Sequence, residues 1–120
     1  MEPDPIQERA RELGKLLSRT DEYQAMKRAN ERLGDDREAV TLMNQISALE
    51  DQITSYLRAG REPTEEIQQE YAQAAERMQQ QTIYQTVVAA QANFERLMAR
   101  INEEIARGIE AGDQSRIILP

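Results

Sequence analysis

Carboxylates are the side chains of this sequence that occur in numbers and at spacings suited to chemistry. Asp35–Asp36, Glu65–Glu66 and Glu103–Glu104 form three acidic pairs. Helical bundles can hold two metal ions between carboxylates, but those sites combine them with inward-pointing Glu-x-x-His pairs. The chain has no His, and its acidic pairs fall mainly beside the apolar positions. We therefore expect solvated helix faces at these pairs and predict no catalytic residue, no cofactor site and no metal site.

Cys is also absent from the 120 residues. Without His and Cys the chain can supply no imidazole base, thiolate nucleophile, disulfide, usual zinc site or cysteine-bound iron–sulfur cluster. No GxGxxG, Walker-type loop, GxSxG or EF-hand pattern occurs. The composition favours an interaction protein, and we predict that the chain is not an enzyme.

Phosphate binding by a weakly basic segment is the second candidate chemistry. Residues 9–37 contain 8 Lys and Arg against 6 Asp and Glu, although the whole chain has a formal charge of −7. Four arginines of this segment could contact phosphate: Arg9, Arg11, Arg28 and Arg32. Acids such as Glu12 interleave with them, and no aromatic platform accompanies them. An RNA-associated binding module is therefore the alternative hypothesis, while helix-surface ion pairs are favoured and we do not expect direct nucleic-acid binding.

The elements that carry these side chains are helices, because every long apolar pattern recurs at three or four residues. Start and stop signals predict five of them. They run from Pro5 to Leu17, from the Ser18–Asp21 turn to Leu33, from an Asp35 cap with Glu38 to Gly60, from a Thr64 cap through Met78, and from Ile83 to Ile109. The predicted fold class is all-α: an antiparallel bundle of about five helices with long C-terminal helices.

Two points stay open between the last two helices. Thr82 and Gln85 resemble a capping box, yet no Gly or Pro lies between Thr64 and Gly108. The two helices are therefore continuous, kinked or separated by a single capping residue. The stretch Thr82–Val88 is also rich in β-branched residues, but an isolated strand would have no partner in a helical chain.

The apolar side of the last helix is a candidate interface. The thin, Ala-rich stripes of the first two helices leave part of it for another chain to cover. We predict a homodimer or larger assembly, with these interface residues: Val87, Phe94, Leu97, Met98, Ile101 and Ile105. A single helical domain over residues 1–120 is expected, with flexible ends at 1–4 and 112–120. No fixed arrangement is predicted for the apolar tail Ile117–Pro120.

The N-terminus is charged, and no run approaches the roughly 18 apolar residues of a membrane span. We expect a cytoplasmic protein without membrane insertion.

Two stretches, residues 16–53 and 89–109, together with the Gly60 turn, resemble the bacterial YlbF/YmcA (YheA-like) family. The resemblance covers about residues 6–110 and rests on a diffuse pattern. Its residues are Leu17, Ser18, Tyr23, Ala29, Leu33, Asp36, Leu42, Gly60, Phe94, Leu97, Met98, Ile101 and Ile105.

This resemblance implies an all-helical, oligomer-forming, cytosolic regulator that acts through protein–protein interaction. Relatives act in Bacillus competence, sporulation and biofilm control, and join a complex that assists the endoribonuclease RNase Y in transcript maturation. Some relatives use cysteines to hold an iron–sulfur cluster within a multi-protein complex. Because this chain has no Cys, the resemblance does not carry cluster binding over to it.

Overall fold

The structure, a computed structural model, describes residues 4–118. This part of the chain contains five α-helices and no strand. In chain order they are α1 (Pro5–Leu17), α2 (Asp21–Asp35), α3 (Arg37–Arg58), α4 (Glu65–Gln80) and α5 (Thr82–Ile118). The predicted all-α fold class is confirmed, and the stretch Thr82–Val88 is helical. Within the described residues, no helix has both the length and the apolar character to cross a bilayer.

Four helices begin beside a side chain that accepts a hydrogen bond from a backbone N–H of the first turn, where such groups lack partners within the helix. The accepting side chains are Asp4 for α1, Thr20 for α2, Asp36 for α3 and Thr64 for α4. The prediction that Asp35 caps α3 is wrong. Asp35 is the last residue of α2, whereas Asp36 has the extended backbone of a cap and accepts from the Ala39 N–H at 2.9 Å.

The described chain divides into two compact units. The terminal unit comprises residues 4–26 and 90–118, with α1, the start of α2 and most of α5. The central unit comprises residues 27–89, with the rest of α2, all of α3 and α4, and the start of α5. A single folding domain over residues 1–120 stays a prediction.

In the central unit, α3 and α4 pack as an antiparallel pair. Met78 near the end of α4 packs with Ala39 and Leu42 near the start of α3. Tyr71, which precedes Met78 in α4, donates a hydrogen bond to Glu50, which follows Leu42 in α3. Ala39, Leu42 and Met78 are each at most 5% exposed and form the core cluster of this unit, in which Ala29, Leu49, Ala74 and Val87 are also buried.

Glycine ends one helix of this chain but not another. Gly60 follows α3 with a φ of 72°, a left-handed conformation that suits glycine and reverses the chain toward α4. Gly108 and Gly112 lie inside α5, which continues to Ile118. The predicted end at Ile109 is wrong, because a helical glycine costs only about 1 kcal/mol relative to Ala and does not by itself end a helix.

The expected flexible ends fall only partly on described residues. Residues 112–118 are helical, and residue 4 caps α1. Residues 1–3 and 119–120 lie outside the described residues, so the flexibility of both ends stays a prediction.

A single residue separates α4 from α5. Gln81 has φ −70° and ψ 124°, an extended conformation that interrupts the helical path. The Gln85 side-chain amide donates to the Gln79 carbonyl at 3.0 Å, across this break. The break is therefore bridged by Gln85 rather than by the predicted capping box with Thr82. Of the three arrangements left open by the sequence, separation by a single capping residue is confirmed, and a continuous helix from α4 into α5 is excluded.

Candidate protein-interaction surfaces

The six residues predicted to form an interface share one side of α5, because their spacings repeat the helical turn. We call them the α5 face: Val87, Phe94, Leu97, Met98, Ile101 and Ile105. Val87 belongs to the central unit and is 6% exposed, so the chain already buries it. The other five belong to the terminal unit, where four are half-buried and Ile105 is 51% exposed. The chain thus leaves most of the α5 face partly accessible.

The start of α2 contacts the terminal-unit part of the face at Phe94. The rings of Tyr23 and Phe94 lie 5.9 Å apart, centroid to centroid, and are tilted by 60°. This geometry is favourable for an aromatic pair. Beside it, Arg100 Nη2 and Glu22 Oε2 lie 3.4 Å apart. This ion pair is largely exposed and contributes little to stability, so we expect the aromatic contact to contribute more than the ion pair.

Further along, the terminal unit exposes large apolar side chains on two helices. Ile6 and Leu16 of α1 are 78% and 60% exposed, and Ile109 of α5 is 70% exposed. None of the α1 residues is buried, and Ala90 is the single buried residue among the described residues of this unit. A 13-residue helix is marginal in water without an apolar face to pack against. The terminal unit therefore has an incomplete core.

A groove of mixed charge also lies in the terminal unit, with a volume of about 520 Å³. Its lining comes from α2 and α5: Asp21, Glu22, Ala25, Asn93, Arg96, Ala99 and Arg100. Both signs of charge are present, and Arg100 is already paired with Glu22. This groove shows no preference for a ligand of either charge.

The central unit carries a smaller and mostly apolar groove, with a volume of about 270 Å³. We call it the Met43 groove; its lining residues are Leu33, Met43, Ile46, Ser47, Glu50, Met78 and Tyr84. It opens beside the core, against which Ile46 and Tyr84 pack. Sequence reasoning missed this groove, because its lining comes from four helices.

A polar contact lies at the Glu50 wall of the Met43 groove. The Tyr71 hydroxyl donates to Glu50 Oε1 at 3.2 Å. This hydrogen bond, together with the negative charge of Glu50, raises the pKa of Tyr71 above its ordinary value. The neutral hydroxyl of Tyr71 is thus a hydrogen-bond donor to Glu50 at this wall of the groove.

The four arginines considered for RNA binding lie in different units. Arg9 and Arg11 are on α1 in the terminal unit, whereas Arg28 and Arg32 are on α2 in the central unit. All four are exposed, and Arg9 forms an ion pair with Glu12 at 3.1 Å. This pair matches the surface ion pairing favoured from the sequence.

The three acidic pairs occupy helix surfaces. Five of their six residues are exposed, and Asp36 is half-buried at the cap of α3. Glu104 forms an ion pair with Arg107 at 3.0 Å. Over residues 4–118, no group of three or more metal-binding side chains lies close enough together to hold an ion.

Comparison with protein families decides the relationship of this chain. Residues 6–110 match the family described as control of competence regulator ComK, YlbF/YmcA. The chain belongs to the YlbF/YmcA family. The resemblance seen in the sequence is confirmed, and the bacterial YlbF/YmcA family is linked to competence regulation.

Solved structures include a protein with the same fold as this YlbF/YmcA chain. It is RicA of Bacillus subtilis, whose crystal structure was determined in complex with RicF. The TM-score is 0.81 at 15% sequence identity, and the match covers 92% of this chain and 98% of that chain. At this identity the likeness shows the fold alone. No curated protein sequence matches this chain.

Proposed function

We propose that this YlbF/YmcA chain is a non-enzymatic regulatory adaptor of the cytosol that acts by binding other protein chains. The observation that carries the proposal is the incomplete core of the terminal unit, where α1 has no buried residue and Ile109 is 70% exposed. Apolar surface of this kind on helices is typical of protein–protein contacts. The family description, which names a regulator and no reaction, supports the same role.

The first partner is a second copy of this chain, bound through the terminal-unit part of the α5 face. Burying Leu97, Ile101 and Ile105 against another helix removes apolar surface from water, and each fully buried large side chain contributes about 2 kcal/mol. Closed symmetric pairing is the usual arrangement of identical chains. The crystal structure of RicA with RicF supports assembly with other proteins as a use of this fold.

The pathway that we infer is control of competence through ComK, the regulator that the family description names. By resemblance to other members, it extends to sporulation, biofilm control and RNase Y-dependent RNA maturation. The adaptor would act in these pathways as a component of a larger protein complex.

Light scattering coupled to size-exclusion chromatography tests the assembly over a dilution series. Ile105→Lys places a charge within the α5 face, and we expect it to weaken assembly at least tenfold, or about 1.4 kcal/mol. Ala111→Lys is the matched control, because it adds the same charge at an exposed position on another side of α5. A native chain that stays a helical monomer of 13.8 kDa at micromolar concentration contradicts the proposal.

A salt titration separates this function from the RNA alternative. Phosphate contacts would make RNA affinity fall steeply with salt concentration, whereas docking through apolar helix surfaces does not depend on counterion release. We expect no RNA binding that weakens on substitution of Arg9 and Arg11 by Ala. Salt-sensitive binding that these substitutions abolish would favour the RNA module instead.

A further inference from the structure

The Met43 groove has the composition of a site for anchoring side chains. Met78 belongs to the core and Ile46 packs against it, while Met43 at the opening is 42% exposed. Methionine is flexible and polarizable, and methionine-lined surfaces adapt to varied apolar partners. The groove differs from the α5 face in its unit, its residues and its shape.

The size of the groove argues against a small-molecule or cofactor site. The groove is small, with a volume of about 270 Å³, and is open to solvent, whereas small-molecule sites of roughly 300–1,000 Å³ enclose most of their ligand. A groove of this size takes one or two apolar side chains that project from a larger partner. An amphipathic helix presents such anchors at spacings of three, four and seven residues.

The charge around the groove indicates which side chains should lie beside the apolar anchors of that helix. Glu50 is the single charged residue in the lining, and among the described residues no Lys or Arg forms an ion pair with it. The central unit contains 7 Lys and Arg against 11 Asp and Glu. Electrostatic complementarity therefore favours a partner with basic side chains beside its apolar anchors.

A second copy of this chain fits the groove less well. Each copy has a formal charge of −7, so two copies repel each other at long range. The α5 face can overcome this repulsion over an extended apolar surface, whereas the Met43 groove offers room for only a few side chains.

We propose that the Met43 groove binds an amphipathic helix with basic flanks, contributed by a different protein. The central unit then recruits this partner while the terminal unit assembles the adaptor. The site deepens the proposed adaptor function but stands on its own residues, so it can fail while assembly through α5 holds.

The test uses the full chain and a labelled synthetic peptide of 18 residues, with leucines at helical i, i+3, i+4 and i+7 positions and lysines elsewhere. Fluorescence anisotropy measures binding to the native chain and to two variants. Met43→Lys changes the charge and shape at the groove opening, and Ala111→Lys adds the same charge at an exposed position in the other unit, off the α5 face. We expect at least tenfold weaker binding to Met43→Lys and unchanged binding to Ala111→Lys.

Two further peptides test the stated chemistry. One has the same composition with the leucines dispersed around the helix, and the other replaces every lysine with glutamate. Both should bind at least tenfold more weakly. Glu50→Gln should weaken binding of the lysine peptide several-fold, because it removes the negative charge of the lining. Binding of the glutamate peptide should be unchanged or slightly stronger.

Several outcomes overturn the proposal. They are equal binding to Met43→Lys and Ala111→Lys, equal binding of the dispersed peptide, or no binding of the lysine peptide at millimolar concentration. Loss of self-assembly in Met43→Lys would assign the groove to a second copy instead. Circular dichroism of each variant, with native helix content expected, shows that altered binding is not caused by unfolding.

Discussion

Two leucines on α3 allow the energetic weight of the central core to be measured directly. Leu42 is 5% exposed and packs with Ala39 and Met78, whereas Leu57 on the same helix is 62% exposed. Leu42→Ala removes buried apolar atoms and leaves a cavity, which costs about 2 to 5 kcal/mol. Leu57→Ala makes the same chemical change at a surface position, where substitutions usually stay within about 0.5 kcal/mol.

Urea unfolding followed by circular dichroism compares the two variants at one fixed protein concentration, because assembly contributes to apparent stability. We expect Leu42→Ala to lower the free energy of unfolding by about 3 kcal/mol, a large share of the 5–15 kcal/mol typical of a domain. Leu57→Ala should leave the midpoint nearly unchanged. Equal losses in both variants would refute the assignment of the core to the α3–α4 pair.

Three further predictions follow from named contacts. Asp36→Ala removes the cap of α3 and should cost about 1 kcal/mol in urea unfolding, whereas Asp35→Ala should change stability by less than about 0.5 kcal/mol. Glu50→Gln should lower the pKa of Tyr71, which is measured by tyrosinate absorbance with Tyr71→Phe as the control. Because the folded pKa of Tyr71 is raised above 10.0, the stabilisation that Glu50 gives is present below pH 10.0 and is lost as pH rises through the folded pKa. Phe94→Ala should lower the free energy of unfolding by about 2 kcal/mol, less than the about 3 to 5 kcal/mol of a fully buried Phe, because the ring is half-buried. It should also weaken assembly in light scattering, whereas an unchanged stability would contradict the aromatic contact at 5.9 Å.

The helical fold could be predicted from the sequence because apolar spacing and capping residues act locally. The bounds of α1 follow from Asp4 and Pro5 at its start, and both α3 and α4 begin within two residues of their expected caps. The cap of α3 was predicted at Asp35 but lies at Asp36, because both side chains can accept the same hydrogen bond. The end of α5 was missed for a related reason: Gly108 permits a turn but does not require one.

The two candidate surfaces also differ in how far the sequence predicts them. The α5 face follows from a repeat along one helix, so its five terminal-unit members were predicted from spacing alone, and their role as an interface stays a prediction. The burial of Val87 depends on packing within the central unit and was not visible in the sequence. The Met43 groove requires residues as distant as Leu33 and Tyr84 to meet, which no local pattern encodes.

The most direct test of assembly through α5 uses the absence of native cysteine. Ile105→Cys introduces a single thiol in the α5 face, and Ala111→Cys introduces one on another side of the same helix as a control. The rate of reaction with a thiol reagent is measured over a range of protein concentrations. Assembly predicts that Ile105→Cys reacts at least tenfold more slowly at high concentration and recovers on dilution, while Ala111→Cys reacts at a constant rate. Equal, concentration-independent rates in the two variants would contradict the account.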